Sequence, residues 1–138
     1  MTNDRKTTPE HVTSLAEYEV FVFGSNKEGQ HWGGAAKFAY DNFGAEWGVG
    51  IGMTGQSYAI PTMDGDLEII RSYVKDFTNY AKAHPEQTFW VTPIGCGIAG
   101  WRVEEIAPLF KEASRLDNVS LPESFWNIIE MTAPAGPE

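Results

Sequence analysis

The sequence predicts an α/β domain: a mixed, mostly parallel sheet with helices on both faces. Three observations carry this. Strand-like and helix-like segments alternate along the chain. The first strand, EVFVFG at residues 19–24, has a continuous rather than alternating apolar run, which suits a strand covered on both faces. The unusual, mostly glycine-rich segments follow strands, on the side where open α/β sheets bind ligands.

The elements follow in order. Residues 32–43 read as a helix, with Trp32, Ala35, Ala36, Ala39 and Phe43 on one face. Gly44 can end it. A glycine-rich connection, GAEWGVGIGMTGQ, leads to a short strand at SYAIPT, residues 57–62. Residues 66–83 form the second helix, with Leu67, Ile70, Val74, Phe77 and Ala81 on one stripe and Pro85 as the stop. TFWVTP is the third strand. Residues 103–115 predict a third helix buried through Val103, Ile106, Ala107 and Phe110. NVSLP is a short fourth strand, and the pattern of ESFWNIIEM leaves its type open.

A chain of 138 residues, 42% apolar, fits one domain with a real core. Residues 1–11 and 132–138 are polar or proline-rich and read as flexible termini, so the folded body is 12–131. There is no internal repeat and no linker. The net charge of -9 opposes a general nucleic-acid-binding surface, but not a small anion held by backbone N–H groups. No apolar run approaches the ~20 residues of a membrane span, and no signal-peptide pattern opens the chain. A cytoplasmic setting with no membrane partner is expected. Cys96 is the single cysteine, so an internal disulfide is impossible; the three histidines are scattered, and no metal site is expected.

Three glycine patterns compete. Gly95, Gly97 and Gly100 spell G-x-G-x-x-G after a strand and before a helix, the order a phosphate-binding turn needs. A purely structural turn also accounts for them. An NAD-dependent enzyme built on this loop needs more strands downstream than the chain possesses. Glu104 and Glu105 would repel phosphate from the helix end, so loop amides are the better cradle. Gly50, Gly52 and Gly55 repeat the spacing in the reverse context and read as a connector or bulge. Gly24 and Gly29 have Walker-A spacing, but Gln30 and His31 stand where lysine and a hydroxyl residue belong.

Single residues carry paired readings. Asn26 is a turn residue or a ribose contact. His31 is a solvent-exposed loop histidine or an acid–base group. Cys96 is a small side chain between glycines or a nucleophile. Asp64 and Asp66 make a turn and a helix N-cap, or a carboxylate pair. Trp101 reads as a pocket wall, and Trp32, Trp47, Trp90 and Trp126 as core or interface.

Taken together, VFVFGSN, WGGAAKFAYDNFGA, SYAIPT, VTPIGCGIAGWRVEEIAPLF and NVSLP resemble, in order, the segments of a macrodomain, the ADP-ribose-binding α/β module. The combination of G-G-x-A, F-G, I-P-T and G-C-G-x-x-G looks closest to the branch with DNA- and glutamate-linked ADP-ribose hydrolases. The resemblance implies a compact three-layer macrodomain-like fold over 12–131. It implies ADP-ribose or a related nucleotide diphosphate as ligand, and ADP-ribosylated protein or nucleic acid as a partner class, with no cofactor. Gly33, Gly34 and Ala35 would present amides to the diphosphate and proximal ribose. Gly95, Cys96, Gly97, Ile98, Ala99 and Gly100 would wrap its other side. Trp101 would pack on a ribose or base, Ser25 would line the ligand site, and Asn26 would meet the distal ribose as the one catalytic candidate. The activity implied is binding, with hydrolysis of ADP-ribosyl linkages or simple sequestration of a signalling nucleotide as the two outcomes. Three departures stand out. His11 lies near the place of an adenine-reading aspartate, Ala36 and Lys37 replace an acid after the glycine run, and Met63 stands where the nearest branch tends to have a lysine.

Overall fold

The computed structural model describes residues 6–31, 33–63, 65–96 and 99–131. Its strands are β1 (Glu19–Ser25), β2 (Gly52–Thr54), β3 (Ser57–Pro61), β4 (Thr88–Val91) and β5 (Val119–Ser120). Its α-helices are α1 (Gly34–Asn42), α2 (Leu67–Ala83), α3 (Val103–Ile106) and α4 (Glu123–Met131). The strands make one sheet in the order β2-β3-β1-β4-β5. β1, β3, β4 and β5 run parallel, and β2 is antiparallel to β3. This is a mostly parallel α/β sheet.

The central strand explains the layers. Val20 and Val22 of β1 face one cluster, with Ile70, Val74 and Phe77 of α2 and Phe125 and Ile129 of α4. Phe21 and Phe23 face the other, with Ala36 and Ala39 of α1 and Phe43 just after it. Each of these large side chains stabilises the fold by about 1.5–3 kcal/mol. From β1 the chain moves through α1 toward β3; from β3 and then β4 it moves the other way, toward β5. The reversal puts α1 on the opposite face from α2 and α3, as a constant hand of crossover requires.

Local chemistry sets the ends. Asp66 caps α2, accepting a hydrogen bond from the Ile69 amide at 3.1 Å. α1 starts two residues later than its apolar spacing predicts, because Gly33 is its extended N-cap and Gly34 has φ +62°. The predicted helix at 103–115 is α-helical only as α3, then tightens into 3-10 turns at Ala107–Phe110 and Ala113–Arg115. Pro108 is the cause, since it has no N–H for the Glu104 carbonyl. The buried face survives through Ile106, Ala107, Phe110 and Ala113.

Two further regions differ from the sequence reading. The glycine-rich connection contains β2, joined to β3 by a two-residue turn at Gly55 and Gln56. The N-terminal boundary moves from residue 12 to residue 6. Thr7 bridges Leu121 beyond β5, with Thr8 N–H on the Leu121 carbonyl and Leu121 N–H on that of Lys6, both at 2.9 Å. Trp126 Nε1 also donates to Lys6 at 2.9 Å. Residues 6–8 are therefore paired with the fold, and Val12 and Leu15 then join the cluster on the α1 face. Residues 1–5 and 132–138, read as flexible, lie outside the described residues. Among the described residues, no helix is long and apolar enough to cross a membrane.

Candidate functional site

β1 and β4 are neighbours whose connections leave in opposite directions. Outside the carboxyl ends of such a pair an α/β sheet has its natural crevice. A cleft of about 370 Å³ lies there. Its walls come from Gly24, Ser25 and Asn26 at the end of β1, Gln30, and Gly33 to Ala36 at the start of α1. Thr62 and Met63 after β3 close one side, and Thr92 to Gly95 with Ala99 close the other.

The strand ends are fastened together. Thr62 N–H donates to the Ser25 carbonyl at 2.9 Å. Thr92 sends its backbone N–H (3.1 Å) and its Oγ1 (2.8 Å) to the Val22 carbonyl. Gly24 sits where they meet; a β-carbon on it would be 3.2 Å from Thr62 Oγ1 and 3.3 Å from the Gly95 nitrogen. Gly95 has φ +76° and lies over Trp101 and Ile106. On the opposite wall Gly34, at positive φ with open space before it, leads the first turn of α1. That turn leaves amides with no intrahelical partner, and Gly33 supplies no side chain to cap them.

The predicted residues divide. Ser25 is buried, and its Oγ is committed to the Gly50 carbonyl at 2.5 Å. Asn26 borders the cleft, but its Oδ1 accepts from Gln30 N–H and its Nδ2 donates to the Gln30 carbonyl, both at 2.9 Å. Its amide thus holds the loop in shape. The group offered as catalytic has one N–H and one lone pair left. Gly33, Gly34, Ala35, Gly95 and Ala99 line the cleft; Gly97 and Ile98 lie outside the described residues. Gly100 is exposed at φ +81°.

Cys96 packs against the core, with its thiol 3.5 Å from the Ile94 carbonyl. Burial pushes the thiol's pKa up, and the nearby Glu104 and Glu105 add to it, so a nucleophilic thiolate is disfavoured. Trp101 was read as a pocket wall. Its ring instead packs against the core, and Nε1 donates to the Thr62 carbonyl at 2.8 Å. A half-buried indole needs a partner for its N–H, and that bond makes Trp101 a brace between the β3 and β4 loops. Glu105 turns back on its own helix start, accepting from Arg102 N–H at 2.9 Å.

His31 is not solvent-exposed: only 2% of it is accessible. Its Nε2 is 2.9 Å from the Glu46 carbonyl, and its ring lies edge-on to Phe23 and Trp47. It anchors the loop before α1 from behind. Asp66 is the N-cap already described; Asp64 and Trp32 lie outside the described residues. Thr62, Thr92 and Pro93 went unnamed as site residues, although standing just after a strand's carboxyl end was the signal that could have found them.

A larger chamber of about 820 Å³ adjoins the cleft and shares Gly34, Ala35, Thr92 and Pro93 with it. Residues 7 to 13 form one side, and Pro122, Glu123 and Ser124 at the start of α4 another. Among the described residues, no cluster of His, Cys, Asp and Glu is placed to hold a metal ion. No family model, no curated protein and no solved structure matches the chain.

Proposed function

We propose that the chain binds ADP-ribose or a related nucleotide diphosphate in a macrodomain-like manner, and retains it without cutting it. The observation that carries this reading is the cleft itself: two glycine-containing turns face each other at the carboxyl ends of adjacent parallel strands, where the sheet's connections diverge. The open first turn of α1 offers amides from one side and the Gly95 turn closes the other. A diphosphate of two linked anionic groups suits two such turns.

Retention rather than hydrolysis follows from what the walls lack. No described residue lining the cleft is Asp, Glu, His, Lys or Arg. A scissile bond there meets no side chain able to give or take a proton. The thiol of Cys96 is turned toward its own backbone, and the Asn26 amide is tied to Gln30. A reader of ADP-ribosylated protein or nucleic acid and a sequestering protein both use such a pocket.

Calorimetry of the chain with ADP-ribose, ADP, GDP and NAD tests the reading. Saturable heat with at least one nucleotide diphosphate is expected; no heat and no thermal shift with any of them overturns it. Incubation with ADP-ribosylated peptide and DNA, followed by chromatography, is expected to return both uncut. Released ADP-ribose would replace retention by hydrolysis.

A further inference from the structure

The three strands that meet at the cleft each deliver a hydroxyl residue there: Ser25 at the end of β1, Thr62 after β3 and Thr92 after β4. Two of the hydroxyls are spent inside the protein. Ser25 Oγ donates to the Gly50 carbonyl and Thr92 Oγ1 to the Val22 carbonyl. Thr62 differs. Its backbone is fixed, N–H on the Ser25 carbonyl and carbonyl under Trp101 Nε1, and the residue is only 2% accessible. Yet its Oγ1 has no hydrogen-bond partner among the described residues, although Thr62 lines the cleft. A buried hydroxyl left unpaired is costly and calls for an explanation.

Gly24 supplies one. A β-carbon on it would lie 3.2 Å from Thr62 Oγ1, 3.3 Å from the Gly95 nitrogen and 3.4 Å from Ile94 Cβ. The missing side chain leaves a narrow space with two polar groups converging on it. The Gly95 N–H also has no partner among the described residues. An amide N–H only donates, whereas a hydroxyl donates or accepts, so an acceptor in this space satisfies both. No described residue lining the cleft carries a carboxylate that could fill the role. Walls this close admit a single oxygen rather than a sugar or base ring.

We propose, resting on the nucleotide reading above, that Thr62 Oγ1 and the Gly95 amide seat one phosphate oxygen of the diphosphate. Both bonds are charge-assisted and therefore stronger than neutral ones. The two backbone bonds of Thr62 hold the hydroxyl in place before the ligand arrives, so little ordering is lost on binding. Thr62 is then an affinity-determining side chain in a cradle otherwise built from main chain.

The test is calorimetry of the full chain with ADP-ribose and with ADP, repeated on Thr62→Val, Thr62→Ser and Gly24→Ala, with thermal melts of all three. Thr62→Val keeps the shape and removes the hydroxyl, and is expected to weaken both ligands about tenfold. Its thermal midpoint is expected to equal or exceed that of the native chain, because the group removed has no partner in the fold. Thr62→Ser should restore most of the affinity, and Gly24→Ala should lower it by filling the space. Unchanged affinity in Thr62→Val or in Gly24→Ala, or a serine variant as weak as the valine one, overturns the assignment while leaving nucleotide binding intact. So does a lower midpoint for Thr62→Val, which would mean that the hydroxyl is bonded within the fold. A loss seen with ADP-ribose but not with ADP would move the hydroxyl to the second ribose and overturn the phosphate contact. If the native chain gives no heat with either ligand, GDP or NAD, the nucleotide reading falls and this assignment with it.

Discussion

Gly50 lies against the carbonyl of Asn26 with no room for a β-carbon between them. The contact belongs to a seam between two loops. Gly48 N–H donates to the Gly29 carbonyl at 2.9 Å, Gly29 leaves no room for a side chain against Val49, and Ser25 and His31 bond to Gly50 and Glu46. The glycines that mimic a second dinucleotide motif and a Walker motif thus include two that let backbone touch backbone behind the candidate site. Gly50→Ala is expected to cost about 3 kcal/mol, the upper end of overpacking, and to weaken ligand binding by displacing Asn26. Gly48→Ala has open space and only a positive φ to overcome, about 1 kcal/mol. Urea unfolding of both variants checks this; equal losses would mean the seam is loose.

Gly34 offers a cleaner probe of the ligand. It borders both the cleft and the chamber, and a β-carbon on it meets nothing within 4 Å. Its φ of +62° makes any substitution cost about 1–2 kcal/mol. Gly34→Ala and Gly34→Glu should therefore have similar thermal midpoints. The glutamate is expected to abolish nucleotide binding by placing a carboxylate where the diphosphate passes, and the alanine to weaken it by less than tenfold. Calorimetry on the pair separates charge from strain, and equal affinities would put the ligand elsewhere.

What the sequence made legible follows from where the information is local. β1 and α2 are written in short-range patterns, a continuous apolar run and a stripe from Leu67 to Ala81, and both formed as read. The turns after β1 and β4 were visible because a glycine comes soon after each strand, Gly29 and Gly95. The chamber was not, because its near wall depends on Lys6, Thr7 and Thr8 pairing with Leu121 at the other end of the chain. Nothing in KTTPEHV announces that partner. His31 was misread for the same reason: the Glu46 carbonyl that holds it comes from a loop whose path no periodicity fixes. The expectation of one helix over 103–115 missed its break, although Pro108 stands in its middle.

Trp101 is expected to act on affinity from behind the cleft. Trp101→Phe keeps an aromatic ring against the core and removes the bond from Nε1 to the Thr62 carbonyl. Losing one such bond costs about 1–2 kcal/mol. Because that bond joins the two loops that flank Gly24, ligand affinity should fall severalfold as well. Denaturant melts and titrations on the variant check both; a stability loss with unchanged affinity would show that the brace does not reach the site.

The alkaline limb of stability should report on Tyr58. Burial against Phe77, with smaller contributions from the charges of Asp76 and Tyr80, pushes its phenol from the usual 10.0 to about 12. The folded state therefore holds the proton more tightly than the unfolded one. Its contribution is fully present below pH 10 and is lost as pH rises toward 12. A two-unit shift corresponds to at most about 2.7 kcal/mol. Tyr58→Phe has no phenol to ionise, so the stability difference between the native chain and this variant should shift against the native chain by that amount over the interval. Unfolding measured at several pH values in that interval, with tyrosinate absorbance recorded alongside, checks the sign. A difference independent of pH would mean that the hydroxyl is as well hydrated in the fold as in the unfolded chain.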